Sequence, residues 1–402
     1  LISFTAVKTI EANAKKEDSL IALPFNLDPE NPAYDEALWY GENGELAKTL
    51  KALRELGFVA FNNDIRLQAV FAEARGDAEE VILASKVLEA SLINKIEKEA
   101  TTTLSGILII PEGIVWEKTE SDQGELRRFL QAIEIIIGEE DLQAATFEVD
   151  KFLGSGQDTL LASKIVEASA ISYIQKSDKL TIPSQTETYY YFEDETLVWE
   201  GENGELRKFL KGIKTLLGTS TFADFVFTMD NLLEVDFEEA LKSRVLEATL
   251  ADMVMELLSE DGALHGMIKE PEYGYQWYHH QSSTDPDVGA IRRGEFELNG
   301  NLQYSDLSGF LKAIQALTEA GLNYNNINKD TIVACDTELL SSALCDYSRI
   351  IGTSIATLLN YALKDIEYPL KPVFNDEDLN YQDKVLVKNA LDSFSYFVKF
   401  II

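Results

Sequence analysis

Scarce residues set the first limits on this chain. Only two cysteines, Cys335 and Cys345, stand among its 402 residues. That is too few for a disulfide framework or a zinc site. Ten positions apart, they read either as one disulfide in an exported protein or as buried free thiols. Three histidines, His265, His279 and His280, leave little of the usual general-base chemistry, although carboxylates can still move protons. Positive charge is short as well: 35 Lys+Arg face 69 Asp+Glu, a net charge of −34. Such an excess repels phosphates, which argues against nucleic acid and anionic lipid as partners. No run of about 18 apolar residues is present to span a membrane. A G-x-x-x-x-G-K-[ST] loop, a G-x-G-x-x-G turn, an H-E-x-x-H helix and a C-x-x-C pair are all missing. Neither an initial Met nor a signal peptide nor a tail is seen between Leu1 and Ile402, so the chain reads as a piece of something longer.

What is present is repetition. A hydrophobic fraction of 46% is ordinary for a folded chain, and the length alone suggests two or three domains. Internal repeats change that estimate. "GENGEL" at Gly41–Leu46 returns at Gly201–Leu206, with "SDQGEL" at Ser121–Leu126 between them. The glycines at 44, 124 and 204 are 80 apart. After each, apolar residues keep one helical face: Leu126, Phe129, Leu130, Ile133, Ile136 and Ile137 in the second copy, and Leu206, Phe209, Leu210, Ile213, Leu216 and Leu217 in the third. The first copy keeps Leu46, Leu50 and Leu53, interrupted by Thr49. A fourth runs Leu307, Phe310, Leu311, Ile314 and Leu317, about 21 residues late. A fifth, degenerate copy starts at Val387. Asn43 and Asn203 are the expected N-caps of this helix A, and Gly57, Gly138 and Gly218 its expected stops.

A second helix, B, recurs in antiphase. It reads "SKVLEASL" from Ser85, "SKIVEASA" from Ser163, "SRVLEATL" from Ser243 and "SRIIGTSI" from Ser348, with a weak form, "SFTAVKTI", at Ser3–Ile10. Past each helix B comes a proline in an apolar stretch (Pro24, Pro111, Pro183, Pro271, Pro369), and most are followed by a stretch holding a tryptophan. Proline cannot donate to a ladder, so these stretches read as short edge strands or a small hairpin. The expected fold is an α-rich α+β repeat array, each unit of roughly 80 residues a short β-hairpin followed by two or three helices. Its boundaries are a partial unit at 1–18, repeats at 19–100, 101–178, 179–260 and 261–364, and a partial unit at 365–402.

Each recurring polar residue has two readings. Glu45, Glu125 and Glu205 could be repeated cation ligands, or first-turn stabilisers on the positive end of helix A. Glu89, Glu167 and Glu247 sit inside helix B, placed to pair with helix A arginines such as Arg127 or Arg207. The serines that open helix B lack an accompanying histidine, so they read as N-caps and not as nucleophiles. Trp39, Trp116, Trp199 and Trp277, one per repeat, are expected as core anchors, with sugar stacking as the alternative. The insert Glu270–Gly289 breaks the pattern. Its Tyr273, Tyr275, Trp277, Tyr278, His279, Asp285 and Asp287 are the candidate ligand-binding residues, for a glycan or a cation. Adjacent His279 and His280 would point to opposite faces of a strand, and "DPDVG" lacks the spaced Glu of a calcium loop, so no metal site is assigned.

The helix B phrase, "LLASKIVEASAISYI", resembles repeats of very large secreted surface proteins of bacteria. That resemblance implies a long acidic cell-surface array and supplies no catalytic residue. The expectation is therefore a structural or interaction protein without cofactor or catalytic residues: an extracellular stalk, adhesin segment or fibre subunit. Its partners would be neighbouring repeats, of the same or an identical chain, and a glycan or host surface ligand. The alternative is a binding module acting through the insert.

Overall fold

The computed structural model describes residues 2–14, 21–24, 39–40, 42–57, 67–183, 197–262, 264, 296–298, 301–303, 306–319, 321 and 323–326. Two compact units divide the chain, Leu1–Lys176 and Ser177–Ile402. The first holds α1 (Ile2–Ala14), α2 (Glu45–Glu55), α3 (Leu67–Glu73), α4 (Glu79–Ile82), α5 (Lys86–Thr101), α6 (Glu125–Ile137), α7 (Gln157–Ala162) and α8 (Lys164–Gln175). The second holds α9 (Glu205–Leu217), α10 (Met229–Leu233), α11 (Arg244–Leu258), the strands β1 (Phe296–Leu298) and β2 (Asn301–Gln303), and α12 (Asp306–Glu319). Helix A of the repeat is thus α2, α6, α9 and α12. Helix B is α5, α8 and α11. Short helical pieces link A to B in each of the first three repeats.

The 3.6-residue periodicity reports the core directly. Every apolar residue of the face read for α6, α9 and α12 is buried, with Phe129, Phe209 and Phe310 fully so. Burial of each phenylalanine contributes roughly 1.5–3 kcal/mol. Helix A packs against its own helix B in each of the first three repeats: α2 on α5, α6 on α8, α9 on α11. The interruption in α2 has a purpose. Thr49 is buried, shares a hydrogen bond of 2.8 Å with Ser85 Oγ and donates to the Glu45 carbonyl at 2.7 Å.

Helix A begins one residue later than the asparagines suggest. Its N-caps are Gly44, Gly124 and Gly204, none with a side-chain cap. In repeats 2 and 3 its first N–H groups are satisfied by backbone instead. Glu125 and Leu126 donate to the carbonyls of Val115 and Trp116 at 3.0 and 3.1 Å. Glu205 and Leu206 donate to those of Val198 and Trp199 at 2.8 and 3.1 Å. The crossing is so close that a Cβ on Gly204 would lie 2.4 Å from the Trp199 oxygen, and one on Gly124 2.6 Å from that of Trp116. Glycine is therefore a packing requirement at these caps. At the other end the expected stops hold: Gly57, Gly138 and Gly218 all take positive φ.

Among the described residues the expected hairpin in every unit is not seen. The described residues ahead of α6 and α9 carry no ladder. Their carbonyls are committed to helix A, and the Ile109 N–H goes to the Ser169 hydroxyl at 2.9 Å. Among the described residues the strands are limited to the antiparallel pair β1–β2, in register Phe296↔Gln303, ahead of α12. Proline and β-branched residues suggest extended backbone from the sequence. They do not say whether its partner is a strand or a helix end, and here it is a helix end.

Candidate functional site

The strongest polar constellation is built where helix A meets helix B. Ser85, Ser163 and Ser243 are the N-caps of α5, α8 and α11, and each Oγ accepts the N–H three residues on, from Leu88, Val166 and Leu246. A helix start leaves further N–H groups without partners. The glutamate that opens helix A fills that need from about 40 positions away. Glu125 Oε1 accepts from Ser163 Oγ at 2.7 Å and from the Ile165 N–H at 3.1 Å. Glu205 Oε1 accepts from Ser243 Oγ at 2.6 Å and the Val245 N–H at 3.1 Å. In the first repeat Glu45 Oε2 takes the Lys86 N–H at 2.6 Å while Oε1 takes the Lys48 ammonium at 2.8 Å. Negative charge here faces the positive end of helix B, not only that of its own helix. All three glutamates and all three serines are buried.

A second anchor recurs six residues into helix B. Ser91, Ser169 and Thr249 donate to the carbonyl four residues back, and accept the backbone N–H of Ala22, Ile109 and Thr181 at 3.0, 2.9 and 3.0 Å. Each ties the proline-bearing segment onto a helix B. The fixed offset of a hydroxyl from the N-cap serine was the available sequence signal.

The chemistry of this constellation is structural. A serine 2.6–2.7 Å from a carboxylate resembles a nucleophile beside a base. Ser163 and Ser243 are fully buried, however, and both their proton and a lone pair are already used. No substrate carbonyl can approach them.

A cleft of about 580 Å³ lies beside helix B of the first repeat, walled by Glu80, Lys86, Glu89, Lys118, Glu120 and Arg127. Four of these six residues, Glu80, Lys86, Glu89 and Arg127, are engaged in ion pairs. Arg127 meets Glu79 at 2.9 Å and forks onto Glu80 at 2.6 and 3.1 Å. Lys86 meets Glu89 at 2.6 Å and Glu117 at 3.1 Å. Glu89 therefore pairs with a lysine of its own helix, and the expected Arg127 partner goes to α4 instead. Burial pushes the Glu89 carboxyl up, against the pull of Lys86. Hydrogen bonding to Arg127 pulls Glu80 down. The cleft is an ion-paired seam between the first two repeats. Glu167 and Glu247 are buried as well.

The tryptophans divide. Trp39 is a core anchor, fully buried among Ile10, Ile21, Leu46 and Val87. Trp116 and Trp199 are half-buried, and their main contribution is the carbonyl that caps helix A. Tyr273, Tyr275, Trp277, Tyr278, His279, Asp285 and Asp287 lie outside the described residues, as do Cys335 and Cys345. Among the described residues no group of three or more His, Cys, Asp and Glu is arranged to hold a metal ion, and no helix is long and apolar enough to cross a membrane. No family model matches the chain, and neither a curated protein nor a solved structure does.

Proposed function

We propose that this chain is a structural and interaction protein, an acidic series of repeats that serves as an extracellular stalk, adhesin segment or fibre subunit. The observation that carries the reading is the threefold return of a buried helix A glutamate at the start of helix B, on the Ser163 and Ser243 hydroxyls in the second and third repeats and on the Lys86 N–H in the first. The side chains richest in potential chemistry are spent on fixing helix B to helix A. Inside the first unit, repeat 1 is also tied to repeat 2, where Arg75 donates to the carbonyls of Gly138 and Glu140 at 2.8 and 3.2 Å. A protein built this way works through the surface it presents. The net charge of −34 supports the reading too, as a solvated surface that resists collapse onto its neighbours.

The test is location. Antibodies raised against the purified chain should label intact cells of the source, and external protease should remove the label. Labelling only after permeabilisation would refute the extracellular role.

A further inference from the structure

Lys95 has no counterpart in the repeat. Ten residues into helix B the other copies carry Tyr173 and Met253, so the packing of these helices does not require a cation there. Yet Lys95 is 6% exposed on α5, with Nζ 6.0 Å from the centre of the Phe71 ring. Two carboxylates flank its nitrogen. Glu99 Oε1, one turn further along α5, lies at 3.8 Å, and Asp141 Oδ1, past the end of α6, at 4.0 Å. Neither distance is that of a hydrogen bond. An ordinary i,i+4 ion pair would close on Glu99. Here the nitrogen stands about equally far from both acids. Arg75, 4.9 Å from the same ring, holds the Gly138 and Glu140 carbonyls and so fixes the stretch that leads to Asp141. The two carboxylates are held differently. Asp141 caps the short turn Leu142–Ala144, and its Oδ1 accepts the Leu142 N–H at 2.7 Å. Glu99 Oε1 accepts from Gln143 Nε2 at 3.4 Å, while Oε2 is buried without a hydrogen-bond partner. A buried oxygen without a donor costs stability. It is also free to take up a proton.

We propose that Lys95 and Asp141 join in an amide bond, with Glu99 as the proton carrier. Glu99 accepts a proton from the Lys95 ammonium, and the freed amine attacks Asp141 Cγ. The flexible lysine stem covers the remaining distance. As the Nζ–Cγ bond forms, the Leu142 N–H holds Oδ1, where negative charge develops. The Cγ–Oδ2 bond breaks, and Oδ2 leaves as water with two of the three ammonium protons, carried to it by Glu99. The third proton stays on the amide, and Glu99 ends as it began. An ammonium and a carboxylate thus become a neutral amide and one water, with no oxidant, reductant or co-reactant in the balance. The Lys95 and Glu99 side chains are 7% and 13% exposed, which keeps bulk water from reversing the step. Asp141, 36% exposed, gives the departing water a way out. The bond ties helix B of the first repeat to the segment after helix A of the second, inside the Leu1–Lys176 unit. The inference stands on this side-chain geometry and is independent of the extracellular reading.

Intact mass spectrometry of the purified full chain, denatured and reduced, tests it. Wild type should be lighter than its sequence mass by one water. Fragmentation of a protease digest should place that loss on a branched peptide joining Lys95 to Asp141. Lys95→Arg and Asp141→Ala should show the full sequence mass. Asp141→Asn should lose one ammonia in place of the water, because the same attack then expels the side-chain nitrogen. Glu99→Gln should keep the full mass while its far-ultraviolet circular dichroism matches wild type. A wild-type chain of full sequence mass overturns the proposal. So does a water loss that persists in Lys95→Arg or maps to other residues. A Glu99→Gln chain that cross-links as fully as wild type overturns the role given to Glu99. Should the variants fail to fold, the presence or absence of the branched peptide in wild type decides alone.

Discussion

Replacing Glu125 by Ala removes the acceptor shared by the Ser163 hydroxyl and the Ile165 N–H, at 2.7 and 3.1 Å. Both donors are buried, so water cannot take over. A buried donor left without an acceptor costs roughly 1–3 kcal/mol, which puts the gross loss at about 2–6 kcal/mol. Part is returned, because the carboxylate was itself held out of water, at 1% exposure. A net loss of about 2–4 kcal/mol remains. At about 2–4 °C per kcal/mol for a unit of this size, the melting temperature should fall by about 4–16 °C. Differential scanning calorimetry of the full chain reads this on the transition of the Leu1–Lys176 unit. Glu125→Gln, which keeps one acceptor oxygen, should lose about 1 kcal/mol. In a double-mutant cycle with Ser163→Ala, the two residues should couple by about 0.5–3 kcal/mol. A Glu125→Ala chain within about 0.5 kcal/mol of wild type, the level of a neutral surface change, would refute the reasoning. The clasp would then contribute nothing beyond offsetting its own burial.

Other expected outcomes follow from single contacts. Thr249→Val keeps the shape of the side chain but removes the acceptor for the Thr181 N–H at 3.0 Å, and should cost about 1 kcal/mol in urea denaturation. Gly204→Ala drives a Cβ to within 2.4 Å of the Trp199 oxygen and should cost about 1–3 kcal/mol. Gly218→Ala meets nothing within 4 Å but must hold φ at +55°, so only the smaller left-handed penalty of about 1 kcal/mol is expected. Phe129→Ala empties a fully buried site and should cost about 3–5 kcal/mol by the same assay.

The sequence and the structure agree where the cause is local. The face of helix A is legible because burial along a helix imposes a 3.6-residue period, and residues such as Phe209 and Leu216 carry it visibly. The serine N-caps are legible because the accepted N–H is three residues away. Glu125 shows the limit of that reading. Its place in the first turn suggests only its own helix dipole, whereas its partners are Ser163 and Ile165, which no local pattern connects to it. The hairpins fail for a related reason. "GIVW" ahead of α6 has the composition of a strand but pairs with no strand. Its hydrogen-bonding groups are claimed by the start of a helix. The ligand-binding residues named in the insert, Tyr273 to Asp287, fall outside the described residues, and the sites that recur turn on hydroxyls and carboxylates inside the packing.

Amide hydrogen exchange on the unmodified chain tests the central structural claim directly. Six N–H groups define it: Lys86, Ile165 and Val245, bound to the three glutamates, and Ala22, Ile109 and Thr181, bound to the three hydroxyls. None of the six is satisfied by a neighbouring turn or ladder, so side-chain bonds alone protect them. All six should exchange slowly, at rates comparable with the interior of α6 and α9. Rapid exchange at these amides, with the helix interiors still protected, would show that helices A and B are not joined by the recurring clasp and anchor.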